Sequence, residues 1–86
     1  MPRVSQFFGI LILMYYDDHA PPHFHAAYGG REAAIHIRTF QVLRGSLPPR
    51  ALALVREWAR LHRSELESNW ERARKGDTLR PILPLK

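Results

Sequence analysis

The fold is decided by residues 23–36, whose sequence is His-Phe-His-Ala-Ala-Tyr-Gly-Gly-Arg-Glu-Ala-Ala-Ile-His. Two alternating runs flank Gly29-Gly30, a pattern typical of a β-hairpin with a two-residue turn. Because such a turn sets the register of both strands, every cross-strand pair can be predicted. The predicted pairs are Tyr28–Arg31, Ala27–Glu32, Ala26–Ala33, His25–Ala34, Phe24–Ile35 and His23–His36.

This register separates the hairpin into two faces, because successive side chains along a strand point to opposite sides. The apolar face holds Phe24, Ala26, Ala33, Ile35 and Ile37. The opposite face, called here the histidine face, holds His23, His25, His36, Ala27, Ala34 and Glu32. We therefore predict that a helix packs on the apolar face and leaves the histidine face on the other side.

The segments around the hairpin predict a single α+β domain over residues 1–86. The run from Ile10 to Tyr16 is uninterrupted and apolar, as in a strand covered on both faces, and Gly9 predicts a bend or bulge. The predicted elements are a strand over about 4–16, the hairpin over 23–38, a short strand over about 40–44, a helix over about 47–75 and an extended tail over 77–86. The architecture expected is a three- to four-stranded antiparallel sheet with one face covered by a single long C-terminal helix.

Composition excludes several classes of protein. The chain has 86 residues, a formal net charge of +5 and no cysteine, so disulfide scaffolds, cysteine-ligated zinc and thiol catalysis are ruled out. We expect a cytoplasmic protein without a signal peptide. The longest apolar run, Phe7 to Tyr16, is too short to cross a bilayer as a helix, so we expect no membrane partner.

The histidine face carries the chemistry that the sequence can support. His23 and His25 point the same way on one strand, and Asp17, Asp18 and His19 lie in the preceding turn. Imidazoles and a carboxylate can bind zinc or another divalent ion, and the candidate ligands are Asp17, His19, His23 and His25. They can also act as acid and base, with Asp18, His19, His23 and His25 as candidate catalytic residues. A purely structural role is the third interpretation.

The predicted helix offers two further surfaces. The first is a basic stripe that consists of Arg56, Arg60 and Arg63. It would bind nucleic acid or an acidic partner, or would stay solvated with Arg63 paired to Glu67. The second is an apolar strip that consists of Leu54, Trp58 and Leu61. This strip would cover the C-terminal tail or form a partner interface, and we favour the interface. His62 lies in the core-facing stripe, where a hydrogen-bonded core histidine is expected.

Several motifs resemble a small prokaryotic family, domain of unknown function 4160. The first stretch is Met14-Tyr15-Tyr16-Asp17-Asp18-His19 followed by Pro21-Pro22-His23-Phe24-His25, and the second is His62-Arg63-x-Glu65-Leu66 with Asn69-Trp70. The family histidines correspond to His19, His23, His25 and His62. The resemblance implies a component of a toxin–antitoxin-like operon, often beside a small protein of domain of unknown function 2442.

Two functions follow as hypotheses. The first is an interaction module of a toxin–antitoxin-type pair, which binds a cognate partner protein and nucleic acid and can form a homodimer. The alternative is a small metal-dependent or histidine-based nuclease-like toxin that uses Asp17, Asp18, His19, His23 and His25. We favour the first, because the sequence names no complete catalytic set and 86 residues leave little room for an enclosed pocket.

Overall fold

Five strands form one antiparallel sheet in the computed structural model, which describes residues 3–16 and 18–86. The strands are β1 (Arg3–Phe7), β2 (Ile10–Leu13), β3 (His23–Tyr28), β4 (Arg31–His36) and β5 (Val42–Gly45). Their order in the sheet is their order in the chain, so each strand pairs with the next. Two helices follow, α1 (Pro49–Leu61) and α2 (Arg63–Lys75).

The central hairpin has the register that Gly29-Gly30 predicts. All six predicted pairs between β3 and β4 are present, from Tyr28 opposite Arg31 to His23 opposite His36. Both glycines have positive φ, 57° and 80°, which the tight turn requires. The five residues of the predicted apolar face all belong to the buried hydrophobic core.

The predicted strand over about 4–16 is wrong, because a second hairpin divides it into β1 and β2. Phe8 and Gly9 form the turn, both with positive φ, at 50° and 77°. Gly9 thus correctly indicates a change in chain direction, but the chain reverses completely there instead of forming the predicted bend or bulge. This reversal adds the fifth strand to the sheet.

The single helix predicted over 47–75 is also wrong, since His62 separates α1 from α2. His62 has φ −123° and ψ 26°, outside the helical region. Its amide still donates to the carbonyls of Trp58 and Ala59, and its carbonyl accepts from the amide of Leu66. Backbone hydrogen bonds thus continue across the local kink at His62. This explains why apolar residues recur at helical spacing through both α1 and α2.

Trp58 is a core residue, which corrects its predicted place in a partner interface. Its side chain is 0% exposed and its ring packs against Phe7 and Phe24, with centroids 5.4 and 6.0 Å apart. Its indole nitrogen donates to the carbonyl of Leu83 at 2.8 Å, so the tail covers it. Of the same strip, Leu61 is 68% exposed.

The C-terminal tail is attached to the domain at several points. The amide of Ile82 donates to the carbonyl of Val4 on β1 at 2.8 Å. The side chain of Asn69 both donates to and accepts from the backbone of Arg80. Across residues 3–16 and 18–86, neither helix has the length and apolar character needed to cross a membrane.

Gly45 should tolerate substitution least among the positive-φ glycines of the later chain. It has φ 74°, and a Cβ there would overlap the carbonyl oxygen of Glu32. Gly76 has φ 76° but nothing within 4 Å of such a Cβ. We expect Gly45→Ala to lose about 3 kcal/mol of unfolding free energy, from left-handed strain plus steric overlap. Gly76→Ala should lose about 1–2 kcal/mol, from strain alone.

Urea denaturation of both variants measures this difference. Equal losses for Gly45→Ala and Gly76→Ala would show that close packing of β5 against β4 is not what requires glycine at position 45.

Candidate metal centre

Asp18 is placed beside the first turn of β3 by the segment that joins β2 to β3. The amide of His19 donates to Oδ1 of Asp18 at 2.9 Å. This bond holds one carboxylate oxygen against the backbone of the next residue. The other oxygen, Oδ2, is left to face the histidines of β3.

His23 and His25 share that single carboxylate oxygen. Nε2 of His23 lies 2.9 Å and Nε2 of His25 lies 3.1 Å from Oδ2 of Asp18. The two rings meet edge to face with centroids 5.1 Å apart. All three side chains are largely withdrawn from water, at 4%, 11% and 15% exposure for His23, His25 and Asp18. Electrostatic interactions here are therefore stronger than on an open surface.

The other nitrogen of each ring is held from outside the cluster. Nδ1 of His23 donates to the carbonyl of Pro21 at 2.7 Å. Nδ1 of His25 lies 3.1 Å from Oε2 of Glu32. The phenol of Tyr15 donates to that same oxygen at 3.4 Å and its ring packs edge-on against His25. Each imidazole is thus oriented by an acceptor on its Nδ1 side.

Asp18 is an ionised carboxylate at neutral pH. Burial raises the pKa of this carboxyl, but the hydrogen bond with His25, the His19 amide and the charges of His23 and His25 together outweigh burial and lower it. Burial, with the charge and hydrogen bond of Glu32, raises the pKa of the Tyr15 phenol. Tyr15 is therefore a neutral donor beside a carboxylate.

These contacts place three acceptor atoms against the four nitrogens of two imidazoles, because both Nε2 atoms share Oδ2 of Asp18. A carbonyl and an ionised carboxylate can only accept, so a proton on each Nδ1 leaves a neutral ring with the lone pair of Nε2 directed at Asp18. The conflict is removed either by a second proton on both rings or by a cation between both Nε2 atoms and Oδ2. The first solution pairs two adjacent imidazolium ions with the carboxylates of Asp18 and Glu32, whereas the second replaces both Nε2 protons by one metal ion.

The cluster fits a divalent metal ion well. One ligand atom from each of Asp18, His23 and His25 lies within 4.8 Å of the others. Tetrahedral ligands around zinc with bonds of about 2.1 Å are separated by roughly 3.4 Å, a few tenths of an ångström more than the Nε2–Oδ2 separations above. A carbonyl or carboxylate behind Nδ1 is also the usual support of a metal-binding histidine. Two imidazoles and one carboxylate suit zinc or another first-row ion.

The predicted ligand set is brought together only in part. His23 and His25 converge, but the carboxylate that joins them in the described residues is Asp18. His19 is exposed and contributes its backbone amide, while its ring is not among the converging ligands. Asp17 lies outside the described residues. Glu32 and Tyr15 were not predicted, although the hairpin register already put Glu32 on the histidine face.

The remaining histidines have local partners. Nδ1 of His36 accepts from the amides of Arg38 and Thr39 in the turn after β4. Nδ1 of His62 lies 2.6 Å from Oε1 of Glu65, so the predicted hydrogen bond is present, but the residue is half-buried and not part of the core.

Two of the three arginines of the predicted basic stripe support the turn before β5. Arg56 donates to the carbonyl of Phe40, and Arg63 donates to the carbonyl of Arg38 and lies over the Phe40 ring. Arg38, not Arg63, pairs with Glu67, at 3.1 Å. Anion binding by Arg56, Arg60 and Arg63 stays a prediction.

Comparison with known proteins gives one match. No curated protein and no solved structure matches this chain. The family described as Domain of unknown function (DUF4160) matches residues 9–71, which include β2, the metal-centre residues and most of both helices. Because this match covers well over half of the 86 residues, the chain belongs to the DUF4160 family, as its motifs predicted.

Proposed function

We propose that this protein is a metal-dependent hydrolase, with zinc as the first candidate ion, and that Asp18, His23 and His25 are the metal ligands. The observation that carries the proposal is the orientation of the rings. Both Nδ1 atoms face acceptors outside the cluster, whereas both Nε2 atoms face Oδ2 of Asp18.

The ligand set matches what hydrolytic zinc sites need. Catalytic zinc commonly has three protein ligands and keeps a position for water or substrate. The ion would supply Lewis acidity and lower the pKa of a bound water toward neutrality. The chain's own contribution is positioning, because Pro21 and Glu32 orient the imidazoles and His19 orients the carboxylate. Hydrolysis needs water as its only co-reactant, so the proposal requires no further cofactor.

Zinc binding tests this proposal directly. We expect wild-type protein to bind one zinc ion, measured by calorimetric titration and native mass spectrometry. Asp18→Asn should weaken binding by about 100-fold or more, because it removes the shared anionic ligand. Glu32→Ala should weaken it by roughly 10–100-fold, the usual effect of losing an outer partner of a metal-binding histidine.

His19→Gln is the matched control, because His19 is an exposed histidine next to Asp18 whose ring lies outside the converging ligands. It should bind zinc as wild type does. A wild-type protein that binds no divalent ion would overturn the proposal, and a loss in His19→Gln equal to that in Asp18→Asn would show that the ligand set is wrong.

A second candidate function is partner binding within a toxin–antitoxin-type pair, which would bring in a protein of domain of unknown function 2442. The observation that favours it is an exposed apolar surface around the first turn. Phe8 is 58% exposed in a left-handed conformation, and it lines a depression of about 340 Å³ with Tyr28 and Leu54. Phe8 contacts the ring of the core residue Phe7 edge to face, and a large apolar side chain this exposed suits contact with another protein.

The Phe8→Asn variant tests the role of this surface in binding without destabilising the fold. Asn-Gly is the preferred sequence for a two-residue turn with positive φ at both positions, so the variant should fold at least as stably as wild type. We expect its affinity for the partner protein, measured by titration, to fall roughly tenfold or more. Unchanged affinity in a folded Phe8→Asn variant would exclude this surface.

A further inference from the structure

Arg44 lies on the histidine face, across one small residue from the candidate metal centre. On neighbouring strands, His25 is paired with Ala34 and Ala34 is paired with Arg44. Directly paired residues of antiparallel strands project from the same face of the sheet. With strands about 4.8 Å apart, the His25 and Arg44 backbones are roughly 10 Å apart.

Ala34, which is 4% exposed, lies at the floor of a groove between these two side chains. Two depressions meet there, and both are lined by Ala34 and Arg44. One, of about 270 Å³, extends to His23 and His19. The other, of about 290 Å³, extends to His25 and Glu32. The groove therefore runs past both imidazoles, with one guanidinium on its far side.

The charge of Arg44 is available to a ligand. Within residues 3–16 and 18–86, no hydrogen bond or ion pair engages its side chain, whereas Arg38, Arg56 and Arg63 all have partners. Glu32, the acidic side chain among the described residues that line the groove, already faces Nδ1 of His25 and the phenol of Tyr15. The groove thus offers an unpaired, planar donor that is suited to an oxyanion.

We infer that this groove binds a phosphodiester, with Arg44 holding the phosphate oxygens over Ala34 and beside His23 and His25. The inference rests on the proposed hydrolase function for its reaction. Water would add to phosphorus, one P–O ester bond would break, and the proton that the water loses would go to the released alkoxide, which leaves as an alcohol. A phosphodiester is preferred to a compact carboxylate because the groove is open and elongated and the chain carries a net charge of +5.

Binding of a dinucleotide with one phosphodiester, thymidylyl-thymidine, tests the subsite with and without zinc. We expect Arg44→Gln to weaken binding roughly 10–100-fold, the effect of losing charge-assisted hydrogen bonds. Arg44→Lys should recover part of the affinity, since it keeps the charge without the planar fork. Ala34→Val should also weaken binding, by filling the groove floor, while zinc affinity stays unchanged in all three variants.

Arg50→Gln is the matched control, since it removes one exposed arginine from the start of α1, which lines a different depression with Phe8 and Leu54. It should bind the dinucleotide as wild type does. Equal loss in Arg50→Gln and Arg44→Gln, or no binding by wild type, would overturn the subsite. Arg44-dependent binding by a protein that holds no metal would support the subsite and refute the hydrolase.

A ten-nucleotide oligothymidylate then identifies the source of the diester. Binding much tighter than that of the dinucleotide, and still dependent on Arg44, assigns the groove to a nucleic-acid strand. Equal Arg44-dependent affinity for both probes assigns it to small diesters.

Discussion

The register of the central hairpin is the constraint on which the rest of the structure depends. Gly29 and Gly30 accept the positive φ of a two-residue turn, and the turn sets which residues of β3 and β4 face each other. Phe24 and Ile35 then enter the core, while His23 and His25 project from the opposite face. A slip by one residue would move the imidazoles into the core and the apolar side chains out of it.

The candidate centre follows from this constraint through local hydrogen bonds. One carboxylate oxygen of Asp18 meets both Nε2 atoms, and the carbonyl of Pro21 and the carboxylate of Glu32 support the two Nδ1 atoms. The acceptors outnumber the protons that two neutral rings can provide. A divalent cation bound to both Nε2 atoms and Oδ2 of Asp18 resolves this excess without a second proton on either ring, and this is the physical basis of the proposed function.

Sequence reasoning succeeded where one residue type dictates the geometry and failed where several weak signals compete. Gly29-Gly30 predicted every pair of the hairpin. The Phe8-Gly9 turn was missed because phenylalanine is rare at positive φ, and the kink at His62 was missed because neither proline nor glycine marks it. Trp58 was predicted to lie in a partner interface, but the C-terminal tail and Phe7 cover the side of α1 that carries it. Glu32 was on the predicted histidine face, but its contact with His25 depends on side-chain conformation.

The nitrogen chemical shifts of His23 and His25, recorded by NMR with and without one equivalent of zinc, test the central claim most directly. We predict that, on adding zinc, both rings keep a proton on Nδ1 while both Nε2 resonances move to the range of metal-bound imidazole. We also predict that the ring of the exposed His19 does not change in this way. Two rings that stay protonated on Nε2 in the presence of zinc would contradict the account.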